Sequence, residues 1–257
     1  MRIWSRAWLA RTLSALGAFA EGRRHGEEAL RLATLTRQGA SAIVAHGCLG
    51  LLYLVEGSLE HAIRVLDQGL ALCRASGNQD WLSPIMAGLG SVYALQGRLA
   101  EGRTLVEEAI GAAKRAGALY NYANGVAWLS EVCRLAGRWD EAWQHARQAL
   151  DLARQLKDRG CEAFTLHQLG VIETHTAPSD AMQAEAHYRQ ALSLAQELGM
   201  RPLQAHCHRG LGTLYAKIDR REQARTELST AIEMYRLMEM TFWLPQAEVV
   251  LAQVEGR

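Results

Sequence analysis

The stretch Leu49-Gly50-Leu51-Leu52-Tyr53-Leu54-Val55-Glu56-Gly57-Ser58-Leu59-Glu60-His61-Ala62 decides the fold, because close variants of it recur along almost the whole chain. It reads as the end of one helix, a tight turn at the glycine, and the start of a second helix. Leu49 recurs 40 residues later as Leu89, and Leu169 recurs 42 residues later as Leu211. Such self-similarity is typical of proteins built from stacked repeats.

Aligning the copies gives columns that hold one kind of residue. One column is leucine throughout: Leu9, Leu49, Leu89, Leu129, Leu169, Leu211. The next is small: Ala10, Gly50, Gly90, Ser130, Gly170, Gly212. A third is also small: Gly22, Ala62, Gly102, Ala142, Ala184, Ala224. Glycine in an exposed helix costs about 1 kcal/mol relative to alanine. We therefore interpret the small columns as places where neighbouring helices approach closely.

The turns carry their own signal. A glycine closes the first helix in four copies: Gly17, Gly57, Gly97, Gly137. An apolar residue follows each glycine two positions later, and we expect it to hold the turn against the core. In the fifth copy Thr176-Ala177-Pro178-Ser179-Asp180 replaces the glycine and accounts for the two added residues.

The spacing of Leu49-Gly50, Tyr53 and Ala62 resembles the tetratricopeptide repeat (TPR), a helix-turn-helix unit of about 34 residues. The longer period is similar to the extended repeat of MalT-like bacterial regulators. The resemblance implies an all-α, right-handed α-solenoid of about six TPR-like repeats plus a C-terminal capping helix. We expect the repeats at 3–38, 41–76, 83–116, 122–156, 161–198 and 202–238, the last helix at 241–254, and one superhelix over 1–257. Trp128, Trp139 and Trp143 are predicted to be packing residues.

Composition narrows the class of partner. Lys plus Arg number 28 against 27 Asp plus Glu, so no basic footprint for nucleic acid is expected. The five cysteines lie singly, which indicates free thiols in a reducing compartment and a cytoplasmic location. We expect no membrane span of about 20 apolar residues. Met1–Ala20 faintly resembles a secretory signal, but Arg11 interrupts its apolar part, so we expect none.

A closer resemblance covers residues 184–245. The segments Ala184-Glu185-Ala186-His187-Tyr188-Arg189-Gln190-Ala191-Leu192, Glu197-Leu198-Gly199-Met200-Arg201-Pro202, His206-Cys207-His208 and Met240-Thr241-Phe242-Trp243-Leu244-Pro245 resemble the C-terminal TPR region of large bacterial proteins. Those proteins carry a class III adenylate/guanylate cyclase domain and an AAA-type ATPase. The resemblance implies a regulatory arm, with a cyclase/ATPase as a further possible partner. A free-standing arm, a fragment and a partial reading frame all stay open.

Four patterns invite a chemical interpretation, and we expect none of them to be a catalytic, cofactor or metal site. The run from Gly97 to Thr104 approaches a phosphate-binding loop but lacks the lysine and the preceding strand. His206 and His208 are two residues apart on a helix, so they point in different directions. The acidic groups near turns, Glu173 with His175 and Asp140 with Glu141, are typical of a helix surface. Cys161, near two basic residues, is an activated or a plain thiol.

The first helices of the repeats should line the concave face, which is the common binding surface of such arrays. The protein-binding residues predicted there are Trp4, Arg11, Asn124, Glu131, Arg134, Phe164, His167, His206, Arg209, Thr213. Repeats two and three are apolar or small at these positions: Val44, Leu51, Leu54, Ala87, Ala94. This pattern predicts a groove, apolar at one end and polar at the other, for a partner helix or an extended peptide. A solvated face with no dedicated ligand stays open.

The sequence therefore predicts a non-enzymatic protein-interaction scaffold, the regulatory or sensor arm of a bacterial signalling system. The alternative is the small-molecule-sensing module of a MalT-like transcriptional regulator. A hydrolase or transferase is a third hypothesis, for which no nucleophile–base pair stands out.

Overall fold

The computed structural model describes residues 2–176 and 181–256. Within these ranges the chain forms α-helices joined by short turns and has no strand. The helices are α1 (Arg2–Ala15), α2 (Phe19–Leu35), α3 (Gly39–Glu56), α4 (Leu59–Ser76), α5 (Leu82–Leu95), α6 (Leu99–Arg115), α7 (Leu119–Leu135), α8 (Trp139–Leu156), α9 (Arg159–Thr176), α10 (Ala181–Glu197), α11 (Arg201–Lys217), α12 (Arg221–Leu237) and α13 (Leu244–Glu255).

The chain divides into two compact units, Met1–Gly137 and Arg138–Arg257. Unit 1 stacks the hairpins α1/α2, α3/α4 and α5/α6, followed by α7. Unit 2 contains α8, the hairpins α9/α10 and α11/α12, and α13. Inside each unit a first helix contacts its own second helix, the second helix of the preceding repeat and the neighbouring first helices. The predicted all-α solenoid of helix-turn-helix repeats is confirmed. One continuous superhelix over 1–257 stays a prediction.

The turn glycines adopt the left-handed conformation that the sequence predicts. Gly57 has φ 94° and Gly97 has φ 84°. At the first of these turns the backbone N–H of Ser58 donates to the carbonyl of Tyr53 at 2.9 Å, which satisfies one of the last carbonyls of α3. The altered turn predicted at 176–180 lies outside the described residues, apart from Thr176 at the end of α9.

The small columns lie where two helices of a hairpin meet. A Cβ atom added to Gly50 would lie 2.5 Å from Leu66 Cδ2, and one added to Gly212 would lie 2.5 Å from Leu228 Cγ. At Gly102 the neighbour is backbone, because the added Cβ would lie 2.5 Å from the carbonyl oxygen of Gly90. The interpretation of these columns as close-approach sites is confirmed.

Leu9 belongs to the leucine column but is 39% exposed, and the main contacts of α1 in the described chain are with α2 and α3. One packing expectation is wrong. Trp143 is 44% exposed on α8, where the Arg147 guanidinium lies 5.7 Å from its ring, so it is not a core residue.

Helix α3 is apolar along its whole length, which the expectation of no membrane-length apolar run did not anticipate. Its 18 residues have a mean hydropathy of 1.4, which is long and apolar enough to cross a membrane by length and composition alone. In the fold 72% of this segment is buried among the other helices of unit 1. A core helix passes the same test, and burial on this scale explains the composition.

Candidate functional site

In unit 2 the first helices α9, α11 and α13 lie side by side, because α11 contacts both of the others. This stacking brings together five of the predicted binding residues. Phe164 and His167 come from α9, and His206, Arg209 and Thr213 come from α11. We call this surface, together with Trp243 and Gln246 at the start of α13, the unit 2 face.

Arg209 connects α11 to the start of α13 within the unit 2 face. Its guanidinium carbon lies 5.5 Å from the centre of the Trp243 ring, a cation–π distance. Its Nη1 donates to Gln246 Oε1 at 2.7 Å. Among residues 2–176 and 181–256 no carboxylate lies within ion-pair distance of this guanidinium. Arginine has five N–H donors and stays charged, so Arg209 keeps donors for an anionic or carbonyl ligand.

His206 links the aromatic residues behind this arginine. Its ring meets Trp243 edge-on with centroids 4.8 Å apart. Its Nδ1 lies 2.6 Å from the Tyr235 hydroxyl. Burial raises the pKa of Tyr235 to about 12, so the phenol stays protonated at neutral pH. The neighbours therefore hold the imidazole and the indole in fixed orientations.

The other residues of the unit 2 face differ in access to solvent. His167 is only 5% exposed and its ring lies 6.0 Å from His206, so it supports the surface from below. Phe164 is partly buried. Thr213 is also partly buried, and its hydroxyl donates to the Arg209 carbonyl at 2.8 Å.

In unit 1 the predicted residues of α1 lie against α3. Trp4 is 47% exposed, and its Nε1 donates to Ser41 Oγ at 3.1 Å. Arg11 is partly buried, and burial lowers the pKa of its guanidinium, with the nearby Cys48 opposing the shift. Trp8, which the sequence analysis did not select as a binding residue, packs on Trp81 with ring centroids 5.6 Å apart.

The three residues predicted on α7 interact with their own helix. Asn124 Nδ2 donates to the Tyr120 carbonyl at 2.9 Å. Glu131 and Arg134 form an ion pair at 3.5 Å, and both side chains are mostly buried. This pair compensates its own charge, so it offers less to a ligand than Arg209 does.

The apolar end of the predicted groove is wrong. The residues expected to line it are all buried: Val44 1%, Leu51 5%, Leu54 9%, Ala87 3%, Ala94 3% exposed. The physical reason is that α3 packs against α1, α2, α4 and α5, and α5 packs against α3, α4, α6 and α7, so these side chains are covered. Apolar residues on every face of a helix indicate burial, so the prediction that they line a groove is wrong.

Trp243 and its counterpart Trp81 were missed as site residues. With the observed spacings, Trp81 and Trp243 fall at the same repeat position, immediately before the first helix of their repeats. Each packs on the preceding first helix: a Cβ added to Gly47 would lie 2.4 Å from Trp81, and Arg209 lies over Trp243. Reading the tryptophans by repeat position would have found the pair.

The patterns weighed for catalysis have structural roles in the described chain. Gly97 closes α5, and Gly102 is the close-approach position already described. His206 contacts Tyr235, whereas His208 Nδ1 lies 2.6 Å from Glu227 Oε2, so the two imidazoles have different partners. Glu173 Oε2 lies 2.7 Å from His187 Nδ1, an interaction that joins α9 to α10.

The five cysteines are free and buried, as predicted for free thiols. Cys161 is not an activated thiol. Burial, together with the negative charge of Asp158, raises its pKa to about 12. The basic residues nearby do not offset the desolvation of a buried thiolate.

Comparisons with solved structures agree with this architecture. NprR in complex with its cognate peptide NprX has a TM-score of 0.72 at 16% identity over 98% of this chain and 72% of that one. A Rap protein complexed with Competence and Sporulation Factor has a TM-score of 0.72 at 13% identity over 93% of this chain and 68% of that one. The chain has a tetratricopeptide-repeat fold.

A third TPR-containing structure is longer. It is a signal transduction ATPase with numerous domains (STAND) protein with a tetratricopeptide repeat sensor, from Pyrococcus horikoshii, with a TM-score of 0.64 at 16% identity. It matches 91% of this TPR chain, which spans about a third (35%) of the STAND protein's length. Neither a family model nor a curated protein matches the sequence.

Proposed function

We propose that this TPR chain is a non-enzymatic scaffold whose unit 2 face binds a peptide or partner segment that carries a carboxylate. The observation that carries the proposal is Arg209, stacked on Trp243 and tied to Gln246, with no acidic partner in the described ranges. Holding the guanidinium in place reduces the entropy that a ligand must overcome. Arginine in this setting favours carboxylate ligands, which can accept two of its N–H bonds at once.

The shape of the face favours an extended ligand. Its partly exposed residues are spread over three successive helices and include Phe164 on α9, Arg209 on α11 and Gln246 on α13. The cavity of about 390 Å³ in the same unit is elsewhere, between α12 and α13, and is lined by residues such as Ile232 and Leu237. An elongated, open row of side chains matches a peptide better than an enclosed small molecule.

The regulatory setting rests on the structural neighbours. NprR was solved with its cognate peptide NprX and the Rap protein with Competence and Sporulation Factor, and the STAND protein is described as having a tetratricopeptide repeat sensor. By analogy we place this chain in a bacterial signalling system as its sensing or regulatory arm, with a cyclase/ATPase as a further possible partner. The five free thiols support a reducing, cytoplasmic compartment.

The test is a binding measurement with three pools of fluorescent peptides that are random except for acidic, neutral or basic fixed positions. We expect the protein to bind the acidic pool best in fluorescence polarisation. Arg209→Gln should weaken this binding by about tenfold or more, because a charge-assisted hydrogen bond is lost. The matched control is Arg225→Gln, which removes an exposed arginine of α12 and should leave the affinity unchanged.

Two kinds of binding result would contradict this proposal, and a third combination of results would favour the alternative function. Equal binding of all three pools, or an acidic-pool affinity that Arg209→Gln does not alter, would overturn the carboxylate proposal. Absence of peptide binding together with a thermal shift on adding a metabolite mixture would favour the MalT-like small-molecule sensor instead.

A further inference from the structure

A pocket of about 540 Å³ opens on the surface of unit 1 where α4, α5 and α6 meet. Its apolar lining includes Leu82, Met86 and Ala112, of which Met86 is only 4% exposed. Two arginines also line it, Arg74 on α4 and Arg115 on α6. We call this cavity the unit 1 pocket. It lies inside the repeat array, because α5 also contacts α3 on one side and α7 on the other.

The unit 1 pocket is open because this repeat is small where the other copies are large. The column that contains Ala112 holds a long side chain in every other copy: Leu32, Leu72, Leu152, Leu194, Met234. The column before it is glycine only here, at Gly111; the other copies hold Arg31, Ala71, Asp151, Ser193, Glu233.

Close helix packing does not account for Gly111. A Cβ atom added there would meet the end of the Arg115 side chain, with Nη1 at 3.3 Å, and no helix backbone. Glycine within a helix costs about 1 kcal/mol relative to alanine, and at Gly111 no close approach offsets that cost. What the small pair Gly111 and Ala112 provides is the open space beside α5.

The two arginines of the unit 1 pocket are available to an anion. Among the residues that the structure describes, neither Arg74 nor Arg115 has a carboxylate within ion-pair distance. Burial raises the pKa of Asp67 on α4, and the charge of Arg74 does not reverse that shift, as a direct ion pair would. The position of Arg115 Nη1 beside Gly111 places this guanidinium over the open space.

Two glutamates line the pocket as well, and they set the charge of the ligand. Glu107 Oε1 accepts a hydrogen bond from Arg103 Nε at 2.7 Å, so its charge is balanced. Glu108 lies seven residues before Arg115 on α6, about 10 Å along the helix axis. Two guanidinium groups therefore face one uncompensated carboxylate, and a singly charged anion balances the difference.

We propose that the unit 1 pocket binds a small amphipathic carboxylic acid, an alkyl chain that ends in one carboxylate. The carboxylate accepts N–H bonds from Arg74 and Arg115, whose planar guanidinium groups match its geometry. The alkyl chain lies on the apolar lining, Leu82, Met86 and Ala112. The volume falls within the range of small-molecule sites, about 300–1,000 Å³. The proposal uses unit 1 residues and is independent of the peptide face in unit 2.

Isothermal titration calorimetry with hexanoate, octanoate, decanoate and octylamine tests the proposal. We expect saturable binding of octanoate, and an affinity that rises from hexanoate to decanoate by up to about fourfold for each added methylene group. Octylamine has an alkyl chain of the same length and the opposite charge. It should bind at least about tenfold more weakly than octanoate, because it cannot accept N–H bonds from the arginines.

Three variants locate the binding. Ala112→Leu gives this repeat the residue that most other copies hold, so it should fold and lose octanoate binding. Arg74→Gln/Arg115→Gln should weaken octanoate binding by about tenfold or more. The matched control is Arg64→Gln, which removes an exposed arginine of α4 that does not line the pocket and should leave the affinity unchanged.

The methyl signal of Met86 gives a readout in the wild-type chain. Labelling with ¹³C-methyl methionine gives one signal for each of the seven methionines, and Met86→Leu assigns the relevant one. Octanoate should shift the Met86 signal, because this side chain lines the pocket.

Four results would overturn the proposal. They are the absence of saturable octanoate binding, octylamine binding as tight as that of octanoate, a folded Ala112→Leu variant that keeps the wild-type affinity, and a Met86 signal that saturating octanoate does not move. The last of these decides the question even where Ala112→Leu fails to fold.

Discussion

At the scale of single residues, the left-handed turn positions set where each helix ends. Gly57 illustrates this, because its φ of 94° lets the next N–H reach back to Tyr53 and close α3. A residue with a Cβ atom pays about 1–2 kcal/mol for this conformation. The turn glycines were readable from sequence because only glycine adopts it freely. Lys157 and Glu239 also adopt the left-handed conformation. Because neither is a glycine, the sequence did not predict this conformation there.

We predict that Gly57→Ala lowers the free energy of unfolding by about 1 kcal/mol, since alanine is strained at positive φ. Chemical denaturation followed by circular dichroism measures the change. Gly39→Ala is the matched control, because Gly39 is exposed at the start of α3 and nothing lies within 4 Å of its added Cβ. Equal destabilisation by both substitutions would contradict the account.

The buried thiols predict a pH dependence. Burial raises the pKa of Cys73 to about 11 and that of Cys161 to about 12, from an ordinary value of 9.0. Between pH 9 and 11 the unfolded chain loses these protons while the native chain keeps them. Stability should therefore be fully present below pH 9 and fall as pH rises above it, by up to about 1.4 kcal/mol per pH unit for each thiol.

Urea denaturation at pH 8 and pH 10 measures this fall. The Cys161→Ala variant is the internal reference, since removing one thiol should make the decline with pH shallower even if the variant is less stable throughout. A wild-type stability that is equal or higher at pH 10 would show that the buried thiols do not contribute in this way.

At the scale of helices, α5 and α6 of unit 1 approach each other backbone to backbone. Gly90 and Gly102 face each other there, and a Cβ on Gly102 would lie 2.5 Å from one backbone oxygen and 3.0 Å from the Ala94 nitrogen. Backbone cannot move aside as a flexible side chain can, so the two helices would have to separate. The repeat columns predicted this contact because glycine is otherwise unfavourable within a helix.

We therefore expect Gly102→Ala to destabilise the protein by about 1–3 kcal/mol. Gly111 lies on the same helix, but its added Cβ would meet only the end of the Arg115 side chain, at 3.3 Å. Gly111→Ala should instead stabilise the helix by up to about 1 kcal/mol. Thermal unfolding of the two variants distinguishes these opposite signs, and a neutral Gly102→Ala would argue against close packing at this position.

At the scale of the whole molecule, the repeat period predicted the fold, whereas the apolar composition of α3 and α5 led to a wrong prediction of a groove lining. Stacked helices must place the same kind of residue at the same point in each repeat, so the helix order and the small columns could be read directly. The proposed unit 2 face was harder to predict. Arg209 and His206 were among the predicted binding residues because they are polar on a first helix. Trp243 was not, because a tryptophan in a sequence does not show whether it fills a core or supports an arginine.

The apolar half of the predicted groove failed for a related reason. Val44 and Leu51 occupy positions that are partly exposed in most other repeats, but on α3 they are covered by its contacts with α1, α2, α4 and α5. A sequence pattern predicts the face of the helix on which a side chain lies. It does not predict how many neighbouring helices cover that face. The number of helices packed on each first helix therefore decides which repeat positions can meet a ligand.

The most direct test of the peptide proposal is to watch Trp243 while a ligand binds. The chain has seven tryptophans, and ¹⁵N-labelling gives each indole N–H a separate signal that single Trp→Phe substitutions assign. Titration with the best acidic peptide should shift the Trp243 indole signal, through the arginine stacked on its ring, and leave that of exposed Trp143 unchanged. A saturating peptide that moves other indoles but not Trp243 would contradict the account.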